Sequence, residues 1–178
     1  MRIIGGAYGG RKFYPPSHMP HTRPTTDIAK EGLFNMLQSR LDFTAISSLD
    51  LFGGTGSISY ELASRGVAQL TIVEKDPSLY RFIGQTIASF KISGCQVVRS
   101  DVFKFIAQCR DSFHFIFAGP PYALHRIDDL PRLIFQHQLL APGGIFVLEH
   151  TPRNDYRQFS FYQQQRNYGT TVFSFFVN

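Results

Sequence analysis

Cysteine is nearly absent from this sequence: Cys95 and Cys109 are the only two among 178 residues. Two are too few for the disulfide framework of a small secreted domain, and their spacing is not that of a CxxC metal site. The expectation is two reduced structural thiols in the cytoplasm and no bound metal. Also missing is any run approaching the roughly 18 consecutive apolar residues that a membrane span needs. The opening Met1-Arg2-Ile3-Ile4-Gly5-Gly6 lacks the long apolar region of an export signal. Charged residues, at 17%, are too sparse for a disordered chain, while 43% hydrophobic and 15% aromatic content suffice for a packed core. A length of 178 residues fits one domain and leaves no room for a second. No long apolar face asks for a partner subunit, so a monomer is expected.

Acidic residues are missing from one particular place. Residues 1–26 carry Arg2, Arg11, Lys12 and Arg23, add His18 and His21, and contain no Asp or Glu, in a chain whose net charge is +5. With Tyr8, Phe13 and Tyr14 interleaved, this arm has what phosphate contact and base stacking require; a merely solvated tail is the other reading. Arg2, Arg11, Lys12 and Arg23 are the candidate phosphate contacts, with Thr25 near the site entrance.

The glycines and prolines between Gly5 and Pro24 resist helix and predict extended strands and turns, an appendage to the domain proper. Thr25, Thr26 and Asp27 offer N-cap side chains, and Leu33, Met36, Leu37 and Leu41 recur at helical spacing, which predicts a helix over 27–41. From Ile46 onward short apolar runs alternate with helical stretches, the pattern of βαβ units around a mostly parallel sheet. Strands are expected at 48–52, 70–74, 96–99, 113–118 and 145–149, with helices at 57–65, 77–92, 102–109 and 127–139. Two aromatic-rich runs, 159–163 and 171–176, joined through Asn167-Tyr168-Gly169, predict a closing antiparallel hairpin. The expected fold is a Rossmann-like α/β domain spanning 1–178, with a seven-stranded, mostly parallel sheet. Residues 1–44 form its N-terminal extension and helix, and 45–178 its ligand-binding core.

The first strand runs into Asp50-Leu51-Phe52-Gly53-Gly54-Thr55-Gly56, a glycine-rich turn that lets a ligand approach the backbone. A dinucleotide fingerprint counted from Gly54 needs a third glycine at 59, where Ser59 stands. That argues against NAD and suits S-adenosylmethionine (SAM), which has no pyrophosphate to cradle. Asp50, Phe52, Gly54 and Gly56 are therefore candidate cofactor contacts. Twenty residues past Gly54, Glu74 ends the second strand, where an acid can accept hydrogen bonds from ribose hydroxyls. Asp101 and Val102 come just after the third strand, with the acid suited to an adenine amino group.

The fourth strand ends in Gly119-Pro120-Pro121-Tyr122. This tetrapeptide resembles the Asp/Asn/Ser-Pro-Pro-Tyr/Phe loop of methyltransferases that modify exocyclic amino groups of bases. There the first residue and a proline carbonyl accept hydrogen bonds from the amino group, and the aromatic ring stacks on the base. The resemblance extends over nearly the whole chain and narrows to the RsmD family. It is carried by Ile3 to Gly6, Gly10 to Lys12, Arg23 to Thr25, Leu33 to Leu37, Leu49 to Gly56, Ser64-Arg65-Gly66, Glu74, Pro142-Gly143-Gly144, Glu149 and Tyr168 to Thr171. It implies a class I methyltransferase fold, SAM as cofactor, and methylation of N2 of a guanine in 16S ribosomal RNA, free or in a small-subunit assembly particle. Gly119, Pro120, Pro121 and Tyr122 then become the catalytic loop.

Two positions depart from the family's pattern. Gly53 stands where a small residue such as alanine is usual, a change expected to be harmless. Gly119 stands where the family carries Asp, and removing one positioned polar group costs about 2.7 to 4 kcal/mol of transition-state stabilisation. The Gly119 departure opens the reading of a catalytically impaired homologue that still binds SAM and RNA, and the shared Pro-Pro-Tyr loop separately leaves open a DNA amino-methyltransferase. His125 is the nearest titratable candidate to compensate.

Overall fold

The computed structural model describes residues 1–19 and 24–178, so His21 of the basic arm and Arg23, one of the expected phosphate contacts, lie outside the described residues. Seven strands form one sheet in the order β3-β2-β1-β4-β5-β7-β6. β1 (Ser47–Asp50), β2 (Gln69–Glu74), β3 (Cys95–Arg99), β4 (Phe113–Ala118) and β5 (Leu140–His150) are mutually parallel. β6 (Tyr162–Tyr168) and β7 (Thr171–Val177) add antiparallel at the β5 edge. The chain winds outward from β1 through β2 to β3, then returns to place β4 on β1's other side. The reversal opens a crevice at the carboxyl ends of β1 and β4, the usual ligand position in such sheets.

Three of the helices, α1 (Asp27–Gln38), α3 (Pro77–Phe90) and α4 (Val102–Gln108), begin where the sequence supplies a capping side chain. α1 starts at Thr26, whose hydroxyl accepts from the Ala29 N–H. α3 starts at Asp76, which caps Ser78 and Leu79, with Pro77 in the first turn where its missing N–H costs nothing. α2 (Ser57–Ser64) and α5 (Asp129–Gln136) complete the connections. Two cores result. Leu33, Phe34, Ile72 and Phe115 pack in one, and Leu49, Ile106, Ile134 and Phe146 in the other.

Three expectations are corrected. α1 ends at Gln38 rather than 41, and Leu41 packs against the core from outside the helix. The sixth strand is Tyr162–Tyr168, not 159–163; Phe159 and Phe161 instead gather against Phe135, whose ring stacks on Phe161 at 4.0 Å. The third concerns the N-terminal segment, which is no appendage. Ile3 and Phe13 are buried in the first core, and Arg2 and Lys12 face each other in an isolated antiparallel bridge. The Glu61 carboxylate, wholly buried on α2, accepts the N–H groups of Ile4 at 2.7 Å and Gly5 at 2.9 Å. Buried Lys30 of α1 lies 4.0 Å from the same carboxylate and donates to the Arg2 carbonyl at 2.7 Å and the Ser57 hydroxyl at 3.0 Å. Burial lowers the Lys30 pKa, and Glu61 opposes that shift.

Candidate active site at the carboxyl edge of the sheet

A cavity of about 580 Å³ occupies the crevice. Its walls come from the turn after β1, the end of β2, the start of α4 and the loop after β4. Leu51, Val73, Leu79, Phe103 and Leu124 give it apolar sides, and Glu74 and Asp101 supply acids. An apolar slot with a few convergent polar groups fits a nucleoside-sized ligand.

The glycine-rich turn is built for close approach. Gly56 caps α2 at φ 81°, and a Cβ there would lie 2.2 Å from the Tyr60 ring, so only glycine fits. Gly53 is also hemmed in: a Cβ would meet Ile72 at 2.7 Å and Ile83 at 3.0 Å. In this chain the isoleucines fill the space that an alanine methyl would need.

Glu74 ties together two segments of one cavity wall. Its Oε2 accepts the Gly54 N–H at 2.7 Å and its Oε1 the Asp76 N–H at 2.8 Å, clamping the turn to the start of α3. Burial raises its pKa while the backbone donors hold it down. Asp101 is exposed on the cavity rim and caps α4, its Oδ1 accepting from Phe103 at 2.9 Å and Lys104 at 3.2 Å. Phe52, Gly54 and Val102 also line the cavity.

Asp50 and Gly56 do not line it. Asp50 lies behind the wall, 1% exposed, where burial raises its pKa to about 6 against a hydrogen bond of 2.6 Å from the Ser59 hydroxyl. Ser59, the residue that broke the dinucleotide pattern, is thus the partner of a buried acid.

Gly119, Pro120, Pro121 and Tyr122 line the opposite wall. The Tyr122 hydroxyl donates to Glu149 Oε1 at 3.1 Å and lies 3.3 Å from the Thr171 hydroxyl. Thr25 donates its hydroxyl to Glu149 Oε2 at 2.5 Å. Two expected site residues, 97 positions apart in sequence, therefore converge on one buried carboxylate at the end of β5. Glu149 entered the sequence reading only as a motif match. A Cβ at Gly119 would lie 2.9 Å from Phe117 Cε1 and 3.6 Å from Glu149 Oε2.

Arg2, Arg11 and Lys12 do not line the cavity. Exposed Arg2 pairs with Asp27 at 3.0 Å. Arg11 donates to the Phe90 carbonyl at 3.0 Å, its guanidinium 5.0 Å from the Tyr8 ring centre and 5.5 Å from that of Phe90. Lys12 is exposed. Sequence reasoning missed Leu79, Phe103 and Leu124 as cavity walls, since an apolar residue near a helix start is indistinguishable there from core. Among the described residues, no group of three or more His, Cys, Asp or Glu is placed to hold a metal, and no helix is long and apolar enough to cross a membrane.

Comparison with known proteins places this geometry among relatives. The family profile described as conserved hypothetical protein 95 matches residues 1–177. Ribosomal RNA small subunit methyltransferase D of Escherichia coli K12 is 31% identical over 154 residues, 86% of this chain and 76% of that protein. Its Haemophilus influenzae namesake is 29% identical, covering 84% and 78%. Among solved structures, Escherichia coli yhhF superposes with a TM-score of 0.88 at 26% identity, covering 100% of this chain and 97% of that one. The Thermus thermophilus 16S rRNA N2 G1207 methyltransferase, solved with AdoMet and guanosine, has a TM-score of 0.68 at 24% identity over 86% of this chain and 44% of that one. That last likeness is one of fold.

Proposed function

This chain belongs to the conserved hypothetical protein 95 family, the RsmD family, and from that membership we propose that it is a SAM-dependent methyltransferase acting on the exocyclic N2 amino group of a guanine in small-subunit ribosomal RNA. The observation that carries the reading is one cavity with the Gly54–Glu74 clamp on one wall and the Gly119–Tyr122 loop on the other. A cofactor and a base can meet across it.

The residues present fit SAM. The turn carries no pyrophosphate cradle, the walls are apolar enough for an adenine ring, and Glu74 and Asp101 are acceptors for hydroxyl and amino donors. Glu74 would hold the ribose, Asp101 and Val102 the adenine, and Phe52 and Gly54 the methionine end. Asp50 and Gly56 act through the shape of the turn. When bound, SAM supplies an electrophilic methyl group. The chain's own contribution is positioning: Pro120 offers its carbonyl to the target amino group, Tyr122 borders the space for the base, and the site needs no covalent intermediate.

Residues 1–44 would serve as the RNA-contacting extension of the 45–178 core, with Arg2, Arg11, Lys12 and Arg23 on phosphates and Thr25 at the entrance. The substrate is free ribosomal RNA or a small-subunit assembly particle, met in the cytoplasm by a monomer. The test is transfer of labelled methyl from SAM to unmodified small-subunit particles, with naked RNA and DNA as parallel substrates. Labelling of DNA alone would move the reading to a DNA amino-methyltransferase. SAM binding with no transfer to any of them would make it the impaired homologue that Gly119 suggests.

A further inference from the structure

We propose that Glu149 is a positioning residue: it fixes the ring of Tyr122 as the border of the base site, and is itself held in place by Thr25 of the N-terminal segment. The inference rests on the methyltransferase reading above and deepens it, since it concerns how the loop after β4 is held for that reaction.

The loop needs a side-chain tether. Pro120 and Pro121 carry no N–H, so this part of the chain has no backbone donor to give to the sheet. The Leu124 N–H turns back on the Pro121 carbonyl at 2.9 Å, a contact within the loop itself. Tyr122 reaches out of it: the hydroxyl at the far end of a cavity-lining ring lies 3.1 Å from Glu149 Oε1 and 3.3 Å from the Thr171 hydroxyl. A ring held only at its Cβ keeps the freedom of χ1 and χ2, and a hydrogen bond at the opposite end restrains both. His125, the residue expected from sequence to compensate at position 119, is exposed and lines no part of the cavity.

The groups at the other end of the tether stand on or beside regular elements. Glu149, 4% exposed, lies near the end of β5 opposite Phe173, and buried Thr171 opens β7. Thr25 directly precedes Thr26, the N-cap of α1. That helix buries Leu33, Phe34 and Leu37 in the first core and is pinned by the bonds of Lys30 to the Arg2 carbonyl and the Ser57 hydroxyl. The Thr25 hydroxyl, 2.5 Å from Glu149 Oε2, holds one oxygen of the carboxylate whose other oxygen receives Tyr122. A carboxylate is planar and rigid, so a shift at Thr25 passes through it to Tyr122. One of these residues belongs to the extension proposed to meet RNA, and the other to the loop that borders the base.

What such a tether supplies is geometry. Methyl transfer needs the nucleophile in line with the methyl group, and a displacement of about 1 Å costs on the order of 100-fold in rate. Loosening the ring lowers the fraction of bound substrate whose base is in line, and that loss falls on kcat. Phosphate contacts hold the RNA elsewhere and the opposite wall holds SAM, so neither KM follows.

Tyr122→Phe keeps the ring and removes its tether, and Thr25→Val keeps the shape and removes the hold on Oε2. With SAM and unmodified small-subunit particles, each should lower kcat about 10- to 100-fold, with KM for both substrates within about twofold. Thr25→Ser, which keeps the hydroxyl but not the methyl, should stay within about twofold of the parent. Both hydroxyls act through one carboxylate, so the double variant should be about as slow as the slower single one, whereas independent roles would multiply the losses. Glu149→Gln trades one acceptor oxygen for a donor and should fall to the level of the single variants; should it fold poorly, the Thr25 and Tyr122 cycle decides without it. Parent-level kcat in Thr25→Val or Tyr122→Phe, multiplied losses in the double variant, or a loss confined to KM for the particles overturns the proposal and leaves the methyltransferase reading standing. A parent that binds no SAM, or labels no nucleic acid, overturns that reading and the proposal with it.

Discussion

Ser59 donates its hydroxyl to the fully buried carboxylate of Asp50 at 2.6 Å. The pair ties the first turn of α2 to the end of β1 and so fixes the turn between them. Burial lifts Asp50 to a pKa of about 6 from 3.8, while Ser59 pulls it back. Because the folded value is the higher, Asp50 favours the folded state at low pH, and that contribution is lost as pH rises from about 4 through about 6. The linkage amounts to roughly 3 kcal/mol. Asp50→Asn stays neutral throughout, so its melting temperature relative to the parent should climb between pH 4 and pH 7. A difference that stays flat across this range would show that Asp50 ionises as easily in the fold as in water.

Glu61 gathers three elements that lie far apart in sequence. It holds the N–H groups of Ile4 and Gly5, the Arg65 guanidinium at 3.0 Å and the neighbourhood of buried Lys30. Glu61→Ala leaves a buried ammonium without its counter-charge and two partly buried N–H groups without their acceptor, which should cost about 3 to 5 kcal/mol in urea unfolding. Limited proteolysis should then cut within residues 1–13, where the parent resists. Loss of stability without new cleavage there would mean that Ile3 and Phe13 suffice to hold the segment.

These two acids mark the boundary of what the sequence discloses. The α/β order was legible because alternating and helical periodicities are local, and caps such as Asp76-Pro77 announce themselves. The edge strand was not: Tyr162-Gln163-Gln164-Gln165-Arg166-Asn167-Tyr168 is polar because its exposed positions face water, while the more strand-like Phe159 and Phe161 stack on Phe135. The anchoring of Ile4 on Glu61 spans 57 residues, and no local pattern encodes such a contact. The Gly-rich turn, Glu74 and the Pro-Pro-Tyr loop were legible as motifs. The convergence of Thr25 and Tyr122 on Glu149 was not, since it depends on how α1 meets β5 in space.

Glu74 reaches both the turn and α3, so its loss should be felt first in cofactor binding. Glu74→Ala leaves the Gly54 and Asp76 N–H groups without their acceptor. SAM affinity by calorimetry should fall by more than about tenfold, equivalent to about 1.4 kcal/mol. An unchanged Kd would remove Glu74 from the cofactor site and leave it as a brace for the turn.

Arg11 and Lys12 differ in their attachments, and this shapes the RNA-binding prediction. Arg11 is laid over Tyr8 and Phe90, whereas Lys12 projects from the exposed bridge opposite Arg2. Lys12→Glu should weaken RNA binding at every sequence tested and reduce the slope of log K against log salt by about 0.7 to 0.9. Arg11→Glu should add a drop in melting temperature, because it also frees the Phe90 carbonyl. If neither affinity nor slope changes in the double variant, the N-terminal segment does not contact phosphate.

An aspartate placed at position 119 tests how closely this pocket is packed around glycine. The new Cβ meets Phe117 Cε1 at 2.9 Å, and Phe117 is buried at 2% exposure with no open side to turn to. Overpacking of this kind costs typically about 1 to 3 kcal/mol. The added carboxylate also enters beside Glu149, where a further negative charge in a buried setting is disfavoured. Gly119→Asp should therefore lower the melting temperature by several degrees and bring no gain in methyl transfer. Adding Phe117→Leu should recover part of the stability by giving the Cβ room. A Gly119→Asp variant that melts with the parent and transfers methyl faster would mean that the pocket makes room at position 119 and lacks only an acceptor there.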